Sequence, residues 1–257
     1  MGKMTGKTAV VTGAGSLCGI GCSIARRLAS EGALVLLVDN CGVEDLREAA
    51  ESCRAQAVAE GRIETLFIDL AENGAPERMI DYALELFGKV DLLVNNACFR
   101  NHQKFIDNKR SDFERTIAVN VAAPYFASQA VVPAMRRQGG GRIIHIASQL
   151  GVVAAPARSV YGLSKAALIN LTKSMALELA ADGIVVNAIS PGPVETQAMI
   201  ERFQRDPEGL RQRLAYLPAG RNGMPDEIAE LALFLATTSA TFLMGSNVMI
   251  DGGYTIH

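Results

Sequence analysis

The sequence predicts an α/β fold in which one mostly parallel, doubly wound sheet of seven strands carries helices on both faces. Two observations predict it. Short runs rich in β-branched and aliphatic residues alternate with stretches of helical period along the whole chain, the order that builds right-handed strand–helix–strand crossovers. Several of those runs are apolar without interruption, such as Leu34-Val-Leu-Leu-Val38, as strands covered on both faces require. The chain has 257 residues, 49% hydrophobic and 20% charged, enough for a sizeable core in a single domain, 1–257. No linker, repeat or low-complexity segment divides it.

Composition narrows the function classes. A net charge of −2 and a pI of about 6.0 leave no electrostatic footprint for nucleic acid or an anionic membrane. No apolar run approaches the roughly 20 residues of a membrane span. Met1–Lys7 lead straight into a strand-like run, so no signal peptide is expected. Gly6 stands where a myristoylation motif wants a hydroxyl residue. The five cysteines, Cys18, Cys22, Cys41, Cys53 and Cys98, are odd in number and form no C-x-x-C, which suits a reduced, cytoplasmic setting. His102, His145 and His257 offer Cys18 and Cys22 no ligand-like spacing, so no metal is expected. His145 lies inside an apolar strand and reads as a core histidine.

The elements follow in order. Thr8–Thr12 is the first strand, and Thr12-Gly-Ala-Gly-Ser-Leu-Cys-Gly-Ile-Gly21 turns from it into a helix beginning near Ser23. Glycines there let the backbone approach a pyrophosphate at a helix N-terminus, the Rossmann-type arrangement. The second strand, Leu34–Val38, delivers Asp39, a carboxylate placed to accept hydrogen bonds from an adenosine ribose. Its charge opposes a 2′-phosphate, and residues 13–22 hold no Lys or Arg, so NAD(H) is expected over NADP(H). Strands Ile63–Ile68 and Leu92–Val94 come next. Ser111-Asp-Phe-Glu114 has the form of a capping box opening a long helix through Arg137. Strand Arg142–Ala147 ends at Ser148. Tyr161 and Lys165, four apart, share one face of the following helix. An ammonium there is expected to favour the phenolate, making Tyr161 a proton carrier for an alcohol oxygen. Strand Val185–Ile189 precedes a polar, Pro- and Gly-punctuated excursion, 193–223, long enough to serve as a lid. Met224-Pro-Asp-Glu227 opens the last helix, and Asn247–Ile250 is the last strand.

Together these residues resemble the short-chain dehydrogenase/reductase family from end to end. Besides the glycine turn, Asn95-Asn96-Ala97, Asn120, Ser148, the Tyr161/Lys165 pair, Pro191–Thr196 and Asp251-Gly-Gly253 match the family's motifs. The resemblance implies a catalytic set of Asn120, Ser148, Tyr161 and Lys165. Asn120 would hold a water that passes the proton on from Lys165. Cofactor contacts are implied for Gly13, Ser16, Gly19, Ile20 and Gly21 along the pyrophosphate, Asp39 at the ribose, and Asp69 and Leu70 at the adenine. They are also implied for Asn96 and Ala97, for Tyr161 and Lys165, and for Pro191, Gly192, Val194 and Thr196 near the nicotinamide. Two departures stand out. The glycine loop is two residues longer than in the main branch, which affects Ser16, Leu17 and Cys18; Cys98 replaces the usual glycine, where its side chain narrows the pocket or, the favoured reading, fills space as a small apolar group. The expected activity is NAD(H)-dependent interconversion of a secondary alcohol and a ketone. A 3-oxoacyl-thioester reductase and a non-catalytic dinucleotide sensor are the alternatives. The substrate pocket is expected from Phe99 to His102, Gln149, Leu150, Val152, Ala154 and residues 197–217. Arg202, Arg205, Arg211 and Arg213 read as a solvated helix face, with contact to an anionic substrate or an acyl-carrier partner as the alternative. Helices 111–137 and 161–180 have small or apolar outer positions (Ala122, Ala123, Ala127, Ala166, Ala176); these are the helices that pair between subunits in the family, so the resemblance implies a homotetramer or homodimer.

Overall fold

A computed structural model describes residues 2–58, 61–215 and 217–256, with backbone alone for 198, 202, 203, 207, 210, 212 and 213. The strands are β1 (Thr8–Thr12), β2 (Leu34–Asp39), β3 (Ile63–Phe67), β4 (Leu92–Asn95), β5 (Gly141–Ile146), β6 (Ile184–Pro191) and β7 (Asn247–Ile250). All pair in parallel, in the order β3-β2-β1-β4-β5-β6-β7. The helices are α1 (Ile20–Ala29), α2 (Val43–Arg54), α3 (Ala75–Phe87), α4 (Arg110–Ile117), α5 (Ala123–Arg137), α6 (Ser159–Leu179), α7 (Gln197–Arg205), α8 (Pro207–Ala215) and α9 (Pro225–Thr237).

Strand pleating divides the core. Ala9, Val11, Val35, Leu37, Leu92 and Val94 face α1, α2 and α9. Val10, Leu36, Val38, Leu93, Ile143 and Val186 face the opposite layer of α3, α5 and α6. Each such aliphatic side chain, when fully buried, stabilises the fold by roughly 1.5–3 kcal/mol. Strand order reverses between β1 and β4, which opens a crevice at the carboxyl ends of the strands, where ligands bind in sheets of this winding.

The long helix expected over 111–137 differs in two ways. It begins at Arg110 with Lys109 as N-cap and no side-chain cap, so Ser111 and Glu114 form no capping box; Glu114 instead lies 3.7 Å from Arg110. It is also divided by a π-helical turn, Ala118–Ala122. Pro124 has no N–H to give the carbonyl four residues back, that of Asn120, so the α ladder cannot continue there. The joined stretch 110–137 is apolar and long enough to cross a membrane by length and composition, against the expectation of no such run. Its Ala127, Val131 and Met135 pack in the core beneath the sheet. Of the small residues read as outward-facing, Ala123, Ala127 and Ala176 are buried and Ala122 half-buried; Ala166 is exposed. The large apolar side chains exposed on α5 and α6 are Tyr125, Phe126, Leu163 and Leu177.

The excursion after β6 holds α7 and α8. Arg205 and Arg211 are exposed there; the side chains of Arg202 and Arg213 lie outside the described residues. At α9, Glu227 accepts the Met224 backbone N–H at 2.8 Å, the half of a capping box that Met224-Pro-Asp-Glu227 can supply.

Candidate active site

The glycine turn is shaped by close approach. Gly13, at φ +66°, would press a Cβ against Ala97 Cα at 2.7 Å, and one on Gly21 would meet the Gly13 carbonyl oxygen at 2.2 Å. Thr12 Oγ1 accepts the backbone N–H groups of Asn96 and Ala97, both at 3.0 Å. The Asn96 amide donates to the carbonyls of Thr12 and Gly13, both at 2.9 Å. Asn96 thus fastens the end of β4 to the turn after β1. Asp39 Oδ2 accepts the Gly15 N–H at 2.7 Å, so it also braces the loop. The longer loop puts Leu17 and Cys18 outside, exposed, while Ser16 stays at the cleft and its carbonyl accepts the Gly19 N–H at 2.8 Å.

A cleft of about 290 Å³ runs over this turn, lined by Gly13, Ser16, Gly19, Ile20, Asp39, Asp69, Leu70, Asn96, Ala97 and Thr196 among others. Arg115, unremarked in the sequence, also lines it and pairs with Asp69 at 2.8 Å. Burial raises the Asp69 carboxyl, but the Ala71 N–H and Arg115 outweigh it, and Asp69 titrates below the usual carboxylate range. Gly21 does not line this cleft; its part is to let α1 start against the turn.

A smaller pocket of about 110 Å³ adjoins the cleft, and Ile20, Asn96, Cys98, Arg100 and Thr196 line both. Here the structure brings together Ser148 at the end of β5, Tyr161 and Lys165 from the first turns of α6, and Pro191, Gly192 and Val194 after β6. Two glycines that sequence reasoning passed over permit this. A Cβ on Gly162 would meet the Leu150 carbonyl oxygen at 2.8 Å, and one on Gly151 the Lys165 carbonyl carbon at 2.8 Å, so α6 lies directly on the segment after Ser148. The Ser148 hydroxyl caps that short turn, accepting the Leu150 N–H at 3.2 Å, and stays within hydrogen-bonding range of the Tyr161 hydroxyl.

Electrostatics here depart from expectation. Lys165 is 2% exposed and its Nζ donates to the Ile146 carbonyl at 2.7 Å, 5.8 Å from the Tyr161 ring centre. Lys165 is not among the largest influences on the Tyr161 phenol. Burial pushes the phenol up, Cys98 adds to this, and Arg100 and Ser148 act against it. Burial likewise lowers the Lys165 ammonium. Burial raises the Cys98 thiol, yet Arg100 and Lys165 outweigh it, and Cys98 titrates below the ordinary thiol value. Cys98 lies at the junction of cleft and pocket. His145 is fully buried, bonds Asn95 at 3.2 Å and is held neutral, its pKa lowered by burial to about 3.

Asn120 lines neither cavity. Its side chain accepts the Phe99 N–H at 2.7 Å and donates to the Phe99 carbonyl and to Ser164 Oγ, both at 3.0 Å. It fixes the segment leading to Arg100 against α6. Of the expected substrate-pocket residues, Arg100, His102, Gln149 and Leu150 line the small pocket and Phe99 lines the cleft. Asn101, Val152 and Ala154 line neither. Met199 of α7 also lines the small pocket, and Gln197 the cleft, so the excursion closes one side of the site.

The residues fit a dinucleotide on two counts. The glycine cradle is one into which a Cβ would intrude. The Thr196 hydroxyl, at the boundary of both cavities, is buried without a hydrogen-bond partner, an unmet polar group that a bound carboxamide or phosphate would satisfy. Among the described residues no group of His, Cys, Asp and Glu could hold a metal ion.

Comparison with known proteins agrees. A family model described as enoyl-(acyl carrier protein) reductase matches residues 13–255. The chain is 34% identical over 254 residues to an NAD-dependent glycerol dehydrogenase of Listeria innocua, covering 99% of this chain and 96% of that protein. A Burkholderia xenovorans protein described as a short-chain dehydrogenase/reductase superposes with a TM-score of 0.93 at 30% identity, over 100% of this chain and 99% of the other. A protein of Agrobacterium tumefaciens assigned as a 2-deoxy-D-gluconate 3-dehydrogenase, with bound NADP, superposes with a TM-score of 0.88 at 31% identity, over 98% of each chain.

Proposed function

The chain belongs to the short-chain dehydrogenase/reductase family, and we propose that, as an oxidoreductase of that family, it interconverts a secondary alcohol and a ketone with NAD(H). One observation carries this reading. The Ser148 and Tyr161 hydroxyls and the Lys165 ammonium meet in a small pocket that opens on the glycine-lined cleft. A nicotinamide dinucleotide, when bound, supplies the hydride acceptor or donor. The chain's own groups do the rest. Tyr161 takes the alcohol proton in oxidation and returns it in reduction. Ser148, at hydrogen-bonding range of Tyr161, holds the substrate oxygen against it. Lys165, whose Nζ donates to the Ile146 carbonyl, stands beside the pair and would hold the nicotinamide ribose when the cofactor binds. Asn120 acts as a positioning residue, tying the Phe99 segment to α6.

Gly13, Ser16, Gly19 and Ile20 are the pyrophosphate contacts of this reading, with Gly21 behind them. Asp69, Leu70, Asn96 and Ala97 bind the adenosine half. Pro191, Gly192, Val194 and Thr196 bind the nicotinamide half. Asp39 supports NAD over NADP, because a 2′-phosphate would face its carboxylate. The NADP-bound neighbour marks this as the point to test first. A 3-oxoacyl-thioester reductase is the second reading, favoured by the description of the family model. A non-catalytic sensor would have no use for a proton carrier. The exposed Tyr125, Phe126, Leu163 and Leu177 suit burial between subunits of a homotetramer or homodimer, and the reduced cysteines suit the cytoplasm. The test is NADH formation, followed by nicotinamide absorbance, over a panel of secondary alcohols. Turnover of at least one supports the reading; NAD binding with no turnover of any alcohol or ketone overturns it.

A further inference from the structure

The small pocket has a marked sign of charge. Its described lining includes Arg100, His102, Arg158 and Lys165, and neither Asp nor Glu. Lys165 is committed to the Ile146 carbonyl. Arg100 is different. It is exposed and lines both the cleft and the pocket, its guanidinium reaches the Tyr161 hydroxyl and the Cys98 thiol, and no carboxylate is among the largest influences on it. By contrast Arg115, in the same cleft, is paired with Asp69. Arg158 is the N-cap of α6, one turn before Tyr161, and follows Ala157 at φ +57°, the one non-glycine residue of positive φ among the described residues. A left-handed alanine is strained, and strain of this kind gathers where a chain holds a side chain for function. The strained peptide is also gripped, since Arg158 Nη1 donates to the Ala157 carbonyl at 2.9 Å.

We propose that the substrate is a hydroxy acid, oxidised to the oxo acid, whose carboxylate is held by Arg100 with Arg158 adding charge from the far side. This names the substrate class of the site proposed above and rests on that reading. The planar guanidinium matches a carboxylate in a paired, charge-assisted geometry. Position gives more than charge. Because Arg100 reaches the Tyr161 hydroxyl, and that hydroxyl must touch the carbinol oxygen, the carboxylate sits one or two carbons from the reacting centre. The substrate is thus a compact 2- or 3-hydroxy acid, in keeping with a pocket of about 110 Å³. In the oxidation the carbinol C–H bond breaks with its electron pair passing to an oxidised nicotinamide dinucleotide. The hydroxyl proton passes to Tyr161, and the C–O single bond becomes the ketone. Arg100 is a specificity-determining residue in this step.

The test pairs each 2- and 3-hydroxy acid with its methyl ester and with a phosphate monoester of similar length. Wild type, Arg100→Met, Arg100→Lys and Arg158→Met are compared by the ratio of kcat/KM for acid and ester, which cancels any general damage to the site. The wild type should favour the acid. Arg100→Met should collapse that preference by on the order of ten- to a hundredfold, the size of a charged hydrogen bond, mostly through KM, and Arg100→Lys should restore part of it. A second readout needs no turnover: the rise in Tm that an unreactive short carboxylate gives the NAD-bound protein should disappear in Arg100→Met, while the rise from NAD alone remains. An acid-to-ester ratio unchanged in Arg100→Met, or a preference for the phosphate ester, overturns the proposal. If no alcohol is turned over, the reading of the previous subsection fails, and the carboxylate-dependent Tm shift still decides whether Arg100 binds the anion.

Discussion

Replacing Gly21 by alanine probes the glycine turn where the structure leaves least room. The new Cβ would stand 2.2 Å from the Gly13 carbonyl oxygen and 2.6 Å from Asn96 Nδ2. Side-chain carbons do not approach such atoms below 3.0 Å, so the Gly13 carbonyl must retreat by about 0.8 Å. That carbonyl accepts the Asn96 amide at 2.9 Å, and moving it parts the turn after β1 from the end of β4. Overpacking of this kind costs about 1–3 kcal/mol. For a chain of this size a loss of 1 kcal/mol lowers Tm by about 2–4 °C, so Tm should fall by roughly 2–12 °C. The same shift opens the cradle, and the Kd for NAD, measured by calorimetric titration, should rise about tenfold or more. Gly88→Ala is the control. Gly88 has φ +76° and open space around its Cβ position, so alanine there brings backbone strain of about 1–2 kcal/mol far from the cleft. It should lower Tm to a similar degree and leave NAD affinity intact. If Gly21→Ala bound NAD as the wild type does, or Gly88→Ala weakened it equally, the turn would not be the dinucleotide cradle.

Two further outcomes follow from single side chains. Asp39→Asn removes a charge that opposes a 2′-phosphate by ~3–4 kcal/mol per unit charge a few ångströms away, in an effective dielectric of ~20. The ratio of kcat/KM for NADP⁺ over NAD⁺ should rise about a hundredfold, and an unmoved ratio would remove Asp39 from cofactor choice. His145 is held neutral in the fold, its pKa lowered by burial to about 3, against ~6.5 in an unfolded chain. Unfolding therefore takes up a proton below pH ~6.5. The stability due to this group is full above that pH and declines as pH falls toward 3, by ~2 kcal/mol between pH 6.5 and 5. Urea unfolding at a series of pH values should show a shallower decline in His145→Gln; parallel curves for the two proteins would contradict the assignment.

Much of this was legible before any coordinates, for a physical reason. Parallel strands buried on both faces write themselves as unbroken apolar runs, and β1 and β7 fall within the bounds read from sequence. The glycine turn, Ser148, Tyr161 and Lys165 were legible as spacings, because each hangs from the end of a strand or the start of a helix. What stayed hidden depends on tertiary approach. Nothing local says that Gly151 and Gly162 admit α6 to the Ser148 segment. Nor does it say that Arg100 turns toward Tyr161 or that Arg115 joins Asp69. The π turn at Asn120 has a local cause, because Pro124 leaves the Asn120 carbonyl without an i+4 donor, and helical periodicity alone does not show it. The outward alanines failed similarly: Ala123 and Ala127 face the core beneath the sheet, and a small residue gives no sign of which face it occupies. The sign of the Tyr161 shift failed because spacing alone suggested Lys165 as its main partner, whereas Lys165 is turned to the Ile146 carbonyl.

The central claim is that the Tyr161 hydroxyl carries the proton between substrate and solvent. It is tested most directly by Tyr161→Phe, which deletes one oxygen and leaves the ring in place. On this account kcat for alcohol oxidation falls by about a hundredfold or more while the Tm stays near the wild-type value. A variant that keeps its turnover, at any pH, would show that the proton leaves by another route.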